Sequence, residues 1–232
     1  MNLLDLLFPK ICLGCGSQGG YFCIECKQKI RKTYQICPIC SKPSPFGRTH
    51  NFCLTKFSLE SLFSFFAYGG IIREAIHKLK YKLVTDLEQE FWRLIKDEIG
   101  KKEIEMTVLN QNLKIEKPTV VPIPLYWYKQ NLRGFNQSSL FGKRIACLFD
   151  LPFSDKILVR EKNTVSQTKL TQKEREQNIK GIFSLAPDIL ISQDLNILLI
   201  DDVWTTGSTM KEAARVLRGA GAKKVWGLTV AR

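Results

Sequence analysis

Residues 197–210, ILLIDDVWTTGSTM, constrain this chain more than any other stretch. Four aliphatic residues run without interruption into Asp201 and Asp202. After Val203 and Trp204 come five residues with a hydroxyl or no side chain: Thr205, Thr206, Gly207, Ser208 and Thr209. An apolar run bounded by polar residues reads as a buried strand, so residues 197–200 are expected in the middle of a sheet, with both acids at its carboxyl end. Met210, Ala213, Ala214 and Leu217 then recur at helical spacing over 208–218, ending at Gly219 or Gly221. In open α/β sheets the loop between such a strand and helix is where ligands bind. Small residues let the backbone curl so that successive N–H groups face one anion, and the helix adds its positive end. The two carboxylates cannot take a phosphate, but they can accept hydrogen bonds from the vicinal hydroxyls of a sugar. Phosphate and diol together specify a ribose 5-phosphate. An acidic metal-binding pair or an ordinary helix cap would each account for part of the run. No Gly-Lys-Thr signature of triphosphate hydrolysis is present.

Alternation continues through residues 58–232. Strands are expected at 62–68, 119–123, 157–159, 196–200 and 224–230. Helices are expected at 71–80 (Ile72, Ala75, Ile76 and Leu79 inward), 86–99 (Leu87, Phe91, Leu94, Ile95 and Ile99 inward) and 136–149 (Leu140, Ile145 and Leu148 inward). Residues 100–117 read as a polar connection, 171–180 as a loop or exposed helix, and Cys147 as a core residue. No internal repeat is evident. Strands alternating with helices imply an α/β fold, a mostly parallel sheet with helices on both faces.

The first quarter differs in kind. Seven of the eight cysteines fall before residue 54, which puts a domain boundary near residue 57, with units 1–57 and 58–232. They read Cys12-x2-Cys15, Cys23-x2-Cys26, Cys37-x2-Cys40 and a single Cys53. A two-residue gap lets two thiolates reach one tetrahedral ion from one turn. Cys12, Cys15, Cys23 and Cys26 make a complete set, and Cys37, Cys40 and Cys53 three quarters of another. Lys56 stands where a fourth cysteine would close the last pair, and His50 is a weaker candidate donor. An interleaved pairing of knuckles fits the spacing as well. Zinc is expected over disulfides, because no secretory signal precedes the module. A four-thiolate site leaves no open position, so the ion is structural and the module depends on it to fold.

Several parts of the chain carry a family resemblance. An aliphatic run, two acids and Thr-Thr-Gly-x-Thr resemble the 5-phosphoribosyl-1-pyrophosphate (PRPP) loop of type I phosphoribosyltransferases. VVPIPLYWYKQNLRGFNQ (120–137), SQTKLTQKEREQNIKGIF (166–183), HKLKYK (77–82) and the cysteine module resemble the ComF family of competence-associated proteins over nearly the full length. The missing last cysteine departs from that pattern. The resemblance implies a type I phosphoribosyltransferase-like sheet behind a small zinc-ribbon-like module. It puts Asp201 and Asp202 on the ribose hydroxyls as catalytic carboxylates, and Thr205, Thr206, Gly207, Ser208 and Thr209 around the 5-phosphate. Pro122, within Val-Pro-Ile-Pro, fits the loop that holds pyrophosphate, and Arg133 is the candidate cation for the leaving group. Asn136 and Gln137 either bind ligand or cap the next helix. Residues 161–182, with Gln167, Lys169, Arg175 and Asn178, become a flap. His77 is read as structural. Mg²⁺ would bridge pyrophosphate and ribose oxygens.

Charge narrows the partners. The net charge is +13; residues 1–57 hold eight Lys/Arg against two Asp/Glu, and the remainder 27 against 20. A basic module with Lys27, Lys29, Arg31, Lys32 and Lys42, interspersed with Tyr21, Phe22 and Tyr34, suits single-stranded DNA, and the resemblance adds other DNA-uptake proteins as partners. No apolar run approaches a membrane span, residues 1–9 are too short and acidic for a signal, and a cytoplasmic protein is expected. Two functions stand: a Mg²⁺-dependent phosphoribosyltransferase with an unidentified acceptor, or a DNA-handling protein whose pocket senses or merely retains PRPP.

Overall fold

The computed structural model describes residues 9–81, 85–101, 113–163 and 179–232. Residues 1–8 and 82–84, residues 102–112 of the polar connection, and residues 164–178 of the flap, with Gln167, Lys169, Arg175 and Asn178, lie outside them.

Chain order is α1 (Ile24–Gln28), β1 (Leu62–Phe66), α2 (Gly70–Tyr81), α3 (Thr85–Lys101), β2 (Thr119–Pro122), α4 (Trp127–Arg133), α5 (Gln137–Phe149), β3 (Leu158–Arg160), β4 (Phe183–Leu185), β5 (Asn196–Val203), α6 (Ser208–Gly219) and β6 (Lys224–Ala231). Strands β1, β6, β5 and β2 lie side by side in that order and are all parallel. The run 197–200 is therefore interior, as its lack of polar residues required, and β5 continues through both acids to Val203. The fold is the expected one: a parallel α/β sheet with helices, preceded by a cysteine-rich ribbon.

Side chains alternate across the sheet with period two. Leu198, Ile200, Leu228 and Val230 face α2, α3 and α5 in one core. Ile197, Leu199 and Val225 face α6 and the antiparallel β3–β4 pair in the other. On α5 the buried hydrophobic residues are Phe141, Ile145 and Ala146; Ile145 faces inward as expected, whereas Leu148 is exposed, so the inward face is turned from the one expected. The expectation for Cys147 is likewise corrected: it is exposed on that helix.

The cysteine-rich segment is built onto the sheet. Gln35 lends its side-chain amide to the free edge of β1. Its Nε2 donates to Ser64 O, and the Ser64 N–H donates to its Oε1, each at 3.0 Å. Bridges Lys32–Phe66 and Arg48–Ser61 continue the edge. A strand edge that would otherwise expose unpaired donors is thereby covered. Phe22 is in the core, stacked on Phe91 with ring centroids 5.7 Å apart, which removes it from any DNA-facing surface.

Candidate functional site

Two groups of side chains could each hold a metal ion: Cys12, Cys15, Cys23 and Cys26, and Cys37, Cys40, His50 and Cys53; within each, the candidate ligand atoms lie within 4.8 Å of one another. The two groups are sequential, not interleaved, and His50, rather than Lys56, brings the fourth candidate donor to the second. Cys15 Sγ lies 3.6 Å from Cys23 Sγ, and Cys40 Sγ lies 3.3 Å from His50 Nδ1.

The two sets are built alike, which corrects the reading that no repeat is present. Gly16 N–H donates to Cys12 O and Ser41 N–H to Cys37 O, at 3.0 and 2.9 Å. Both Gly16 and Ser41 have positive φ, and the flanking bridges are Ile11–Gln18 and Ile36–Pro43. The repeat was hidden because its halves share knuckle geometry but little else, and because one ligand changes from Cys23 to His50. The donor chemistry fits zinc. So does the packing: a Cβ on Gly14 would lie 2.7 Å from Cys26 Sγ, so the first knuckle closes tightly over its partner thiol.

The second site is a cleft of about 380 Å³ at the carboxyl ends of β2 and β5. Asp201, Asp202, Thr205, Thr209 and Arg133 all line it. Gly207 and Ser208 line a smaller adjoining recess with Asp201, Thr205 and Thr209. Thr206 is half-buried, its hydroxyl 2.6 Å from that of Ser208, and its carbonyl accepts from Lys211 Nζ. Pro122 is buried at the end of β2, paired with Ile200. Its neighbours Ile123 and Pro124 form the cleft wall instead. Asn136 is the N-cap of α5, its Oδ1 accepting from the Ser138 N–H, and Gln137 is buried with its Nε2 donating to Leu79 O.

The loop owes its path to one packing contact. Gly207 has φ +74° and sits over the buried Trp204 ring, so close that a Cβ would lie 2.1 Å from it. Trp204 thus anchors the floor of the turn, and Gly207 is the residue that lets the backbone pass over it.

Four cations share this cleft with the acids: Lys80, Lys129, Arg133 and Arg160. Lys80 Nζ lies 2.6 Å from Asp202 Oδ2. Burial works against the Lys80 charge, but Asp202, with Asp201 and Tyr68 behind it, outweighs that and holds its pKa above the ordinary value. Burial, then the nearby Arg160 and Arg133, push Lys129 down. Burial also lowers Arg160, with Asp201 pulling the other way. Asp201 Oδ1 accepts from Ser138 Oγ at 3.0 Å and from the Asp202 N–H at 2.9 Å. Burial and the charge of Asp202 still raise its pKa to about 7. Like charges crowded on one wall are unfavourable until an anion joins them.

Lys80, Ser138, Lys129 and Arg160 were not identified as site residues from the sequence. Lys80 lies in HKLKYK, the one signal that could have marked it.

Residues 136–231 match the phosphoribosyl transferase domain family, and residues 3–54 match the double zinc ribbon domain. Competence protein F of Haemophilus influenzae is 29% identical over 222 residues, spanning 94% of this chain and 89% of its own length. DNA utilization protein YhgH of Escherichia coli is 28% identical over 213 residues, 88% of each. Competence protein ComFC of Bacillus subtilis is 29% identical over 207 residues, 86% of this chain and 78% of its own. The double zinc ribbon and the paired ligand sets support structural zinc. No helix among the described residues is long and apolar enough to cross a membrane.

Proposed function

We propose that this chain, a homologue of the ComF, ComFC and YhgH proteins over most of its length, binds PRPP in the cleft and transfers ribose 5-phosphate to an acceptor. The carrying observation is the joint lining of one cleft by the adjacent acids Asp201 and Asp202 and by the cations Lys129, Arg133 and Arg160. The acids accept hydrogen bonds from the ribose 2′- and 3′-hydroxyls. The loop 205–209 takes the 5-phosphate on its backbone N–H groups, and the cations face the pyrophosphate. In this reading residues 1–57 are the zinc-stabilised module and 58–232 the transferase-like unit.

The C1–O bond to pyrophosphate breaks, and the electron pair leaves with pyrophosphate. A bond from the acceptor nucleophile to C1 forms, and the acceptor's proton passes to water. The carboxylates stabilise positive charge that develops on the ring, and Lys129, Arg133 and Arg160 stabilise negative charge on the leaving group. Asp201 and Asp202 are the carboxylates lining the cleft that would hold a Mg²⁺ ion, which would supply further positive charge to stabilise the leaving group. In this reading the protein works in the cytoplasm, where its cysteines stay available to bind zinc as thiolates.

Calorimetry with PRPP and Mg²⁺ tests the reading. Wild type binds, and Asp201→Asn/Asp202→Asn loses binding. A wild-type protein that takes up no PRPP overturns it.

A DNA-handling role is the second reading. It is favoured by the names of the relatives and by Tyr34, 65% exposed among the basic residues of the ribbon. Salt-sensitive retention of single-stranded DNA, weakened by charge reversal at Lys27 and Lys32, supports it; no retention at low salt removes it.

A further inference from the structure

A second recess, of about 310 Å³, adjoins the cleft. Its walls include Lys29 and Arg31 from the ribbon segment, and Ala67, Tyr68, Gly69 and Gly70 after β1. We propose that this recess is the acceptor subsite, and that it takes a small acceptor carrying a carboxylate or phosphate group. The proposal rests on the PRPP reading of the neighbouring cleft.

Tyr68 connects the two spaces, since it lines both the cleft and the recess. A molecule seated in the recess is thus one side chain away from the sugar site. The volume suits a small ligand.

Charge sets the class. Lys29 and Arg31 are cations, and no carboxylate lines the recess among the described residues. Among the described residues neither side chain has an ion pair, in contrast to Lys80, which Asp202 neutralises in the cleft. Uncompensated cations around a concave space favour an anionic ligand. The half-buried Ile30 and the buried Ile71 and Ile72 complete the lining and offer an apolar backing for the body of such a molecule.

The recess is assembled by backbone bonds that tie the ribbon to the sheet. Ala67 N–H donates to Arg31 O at 3.0 Å, and Tyr68 N–H donates to Arg232 O at 2.7 Å. Lys29 caps α1 and donates its N–H to the carbonyl of Cys26, a residue of the first metal-ligand set, at 3.2 Å. The ribbon thereby holds two cations at the mouth of a transferase pocket, a use for the module beyond stability.

The test is a residue-resolved NMR titration of the full zinc-loaded chain with benzoate and, separately, with orthophosphate. Expected are saturable shifts of the Gly69, Gly70 and Ile71 amides, weakened about tenfold or more in Lys29→Ala/Arg31→Ala. A response to benzoate alone identifies a carboxylate as the recognised group, and a response to orthophosphate alone a phosphate; both support the class. No shift at these amides with either anion at tens of millimolar overturns the proposal, as does an equal response in the variant. A benzoate response abolished by saturating PRPP also overturns it, because the subsites would then be one. PRPP itself is read at the amides of 205–209, so failure of the cleft reading appears there independently. Unchanged PRPP shifts in the Lys29/Arg31 variant show that its fold is intact.

Discussion

Lys80 Nζ lies 2.6 Å from Oδ2 of Asp202, joining the last turn of α2 to the end of the central strand β5 across the cleft. The side chains are 27% and 12% exposed, so the pair is only partly screened by water. Removing one partner of such a pair leaves the other charge without compensation, which costs more than the pair contributes. Lys80→Met is expected to destabilise the fold by about 2 kcal/mol, whereas Lys80→Met/Asp202→Asn recovers at least half of that loss. Denaturant midpoints of the four proteins in this cycle decide it. Additive single losses would mean that the two groups are not coupled.

Asp201 gives the site a pH dependence. Its carboxyl is raised from 3.8 to about 7, first by burial and next by Asp202. The native state therefore holds this proton more tightly than the unfolded chain. The resulting stability is complete below the unfolded pKa near 3.8 and is lost as pH rises to about 7. Asp201→Asn keeps an Oδ1 acceptor for Ser138 and for the Asp202 N–H but carries no charge. The variant should match wild type below about pH 4 and exceed it by about 1–3 kcal/mol at pH 8. Thermal melts at the two values test the sign; an Asn variant less stable than wild type at pH 8 would contradict it. The same proton blocks one acceptor for the ribose diol, so wild-type PRPP affinity should climb as pH passes through about 7.

Asp201, Asp202 and the loop behind them were legible because strand, acids and loop are contiguous, and contiguity is what a sequence displays. The cysteines were legible through their spacing. Lys80, Ser138 and Arg160 reach the same cleft from α2, α5 and β3, and only packing brings them together. On its own helix Lys80 is one of two lysines in the last turn, and nothing local separates it from Lys78. Helix α4 was missed because its seven residues bury no side chain and so carry no apolar stripe. Strand β4 has three residues and pairs with a strand more than twenty positions away, too short for any period to emerge. Leu148 was assigned inward on periodicity alone, whereas the helix turns Phe141 and Ala146 to the sheet.

Gly207 and Gly134 separate backbone strain from packing. Both have φ +74°, but a Cβ at Gly134 would meet nothing within 4 Å, and one at Gly207 would lie 2.1 Å from the Trp204 ring. Gly134→Ala should cost about 1 kcal/mol for the left-handed backbone alone. Gly207→Ala must also displace a buried indole, and should cost about 3 kcal/mol or more and abolish PRPP binding. Equal losses at the two positions in chemical denaturation would remove Trp204 as the anchor of the loop.

The two metal-ligand sets should differ in what their loss does to the chain. Cys12 and Cys26 are buried in the same core as Phe22 and Phe91. In the second set only Cys37 is buried, and His50, stacked on the exposed Phe52, lies at the periphery. Freshly purified, reduced protein should carry two zinc ions per chain, one for each set. His50→Ala should retain about one ion with a small fall in melting temperature, since three thiolates hold zinc less well than a complete tetrahedron. Cys26→Ser should lose the other ion together with the packing of the ribbon on α3 through Phe22 and Phe91, and melt far lower. Metal content by mass spectrometry, read beside the melting curves, tests both statements. Two ions retained in His50→Ala would exclude His50 as a ligand. Equal melting temperatures for the two variants would mean that the first ribbon is no more a part of the core than the second.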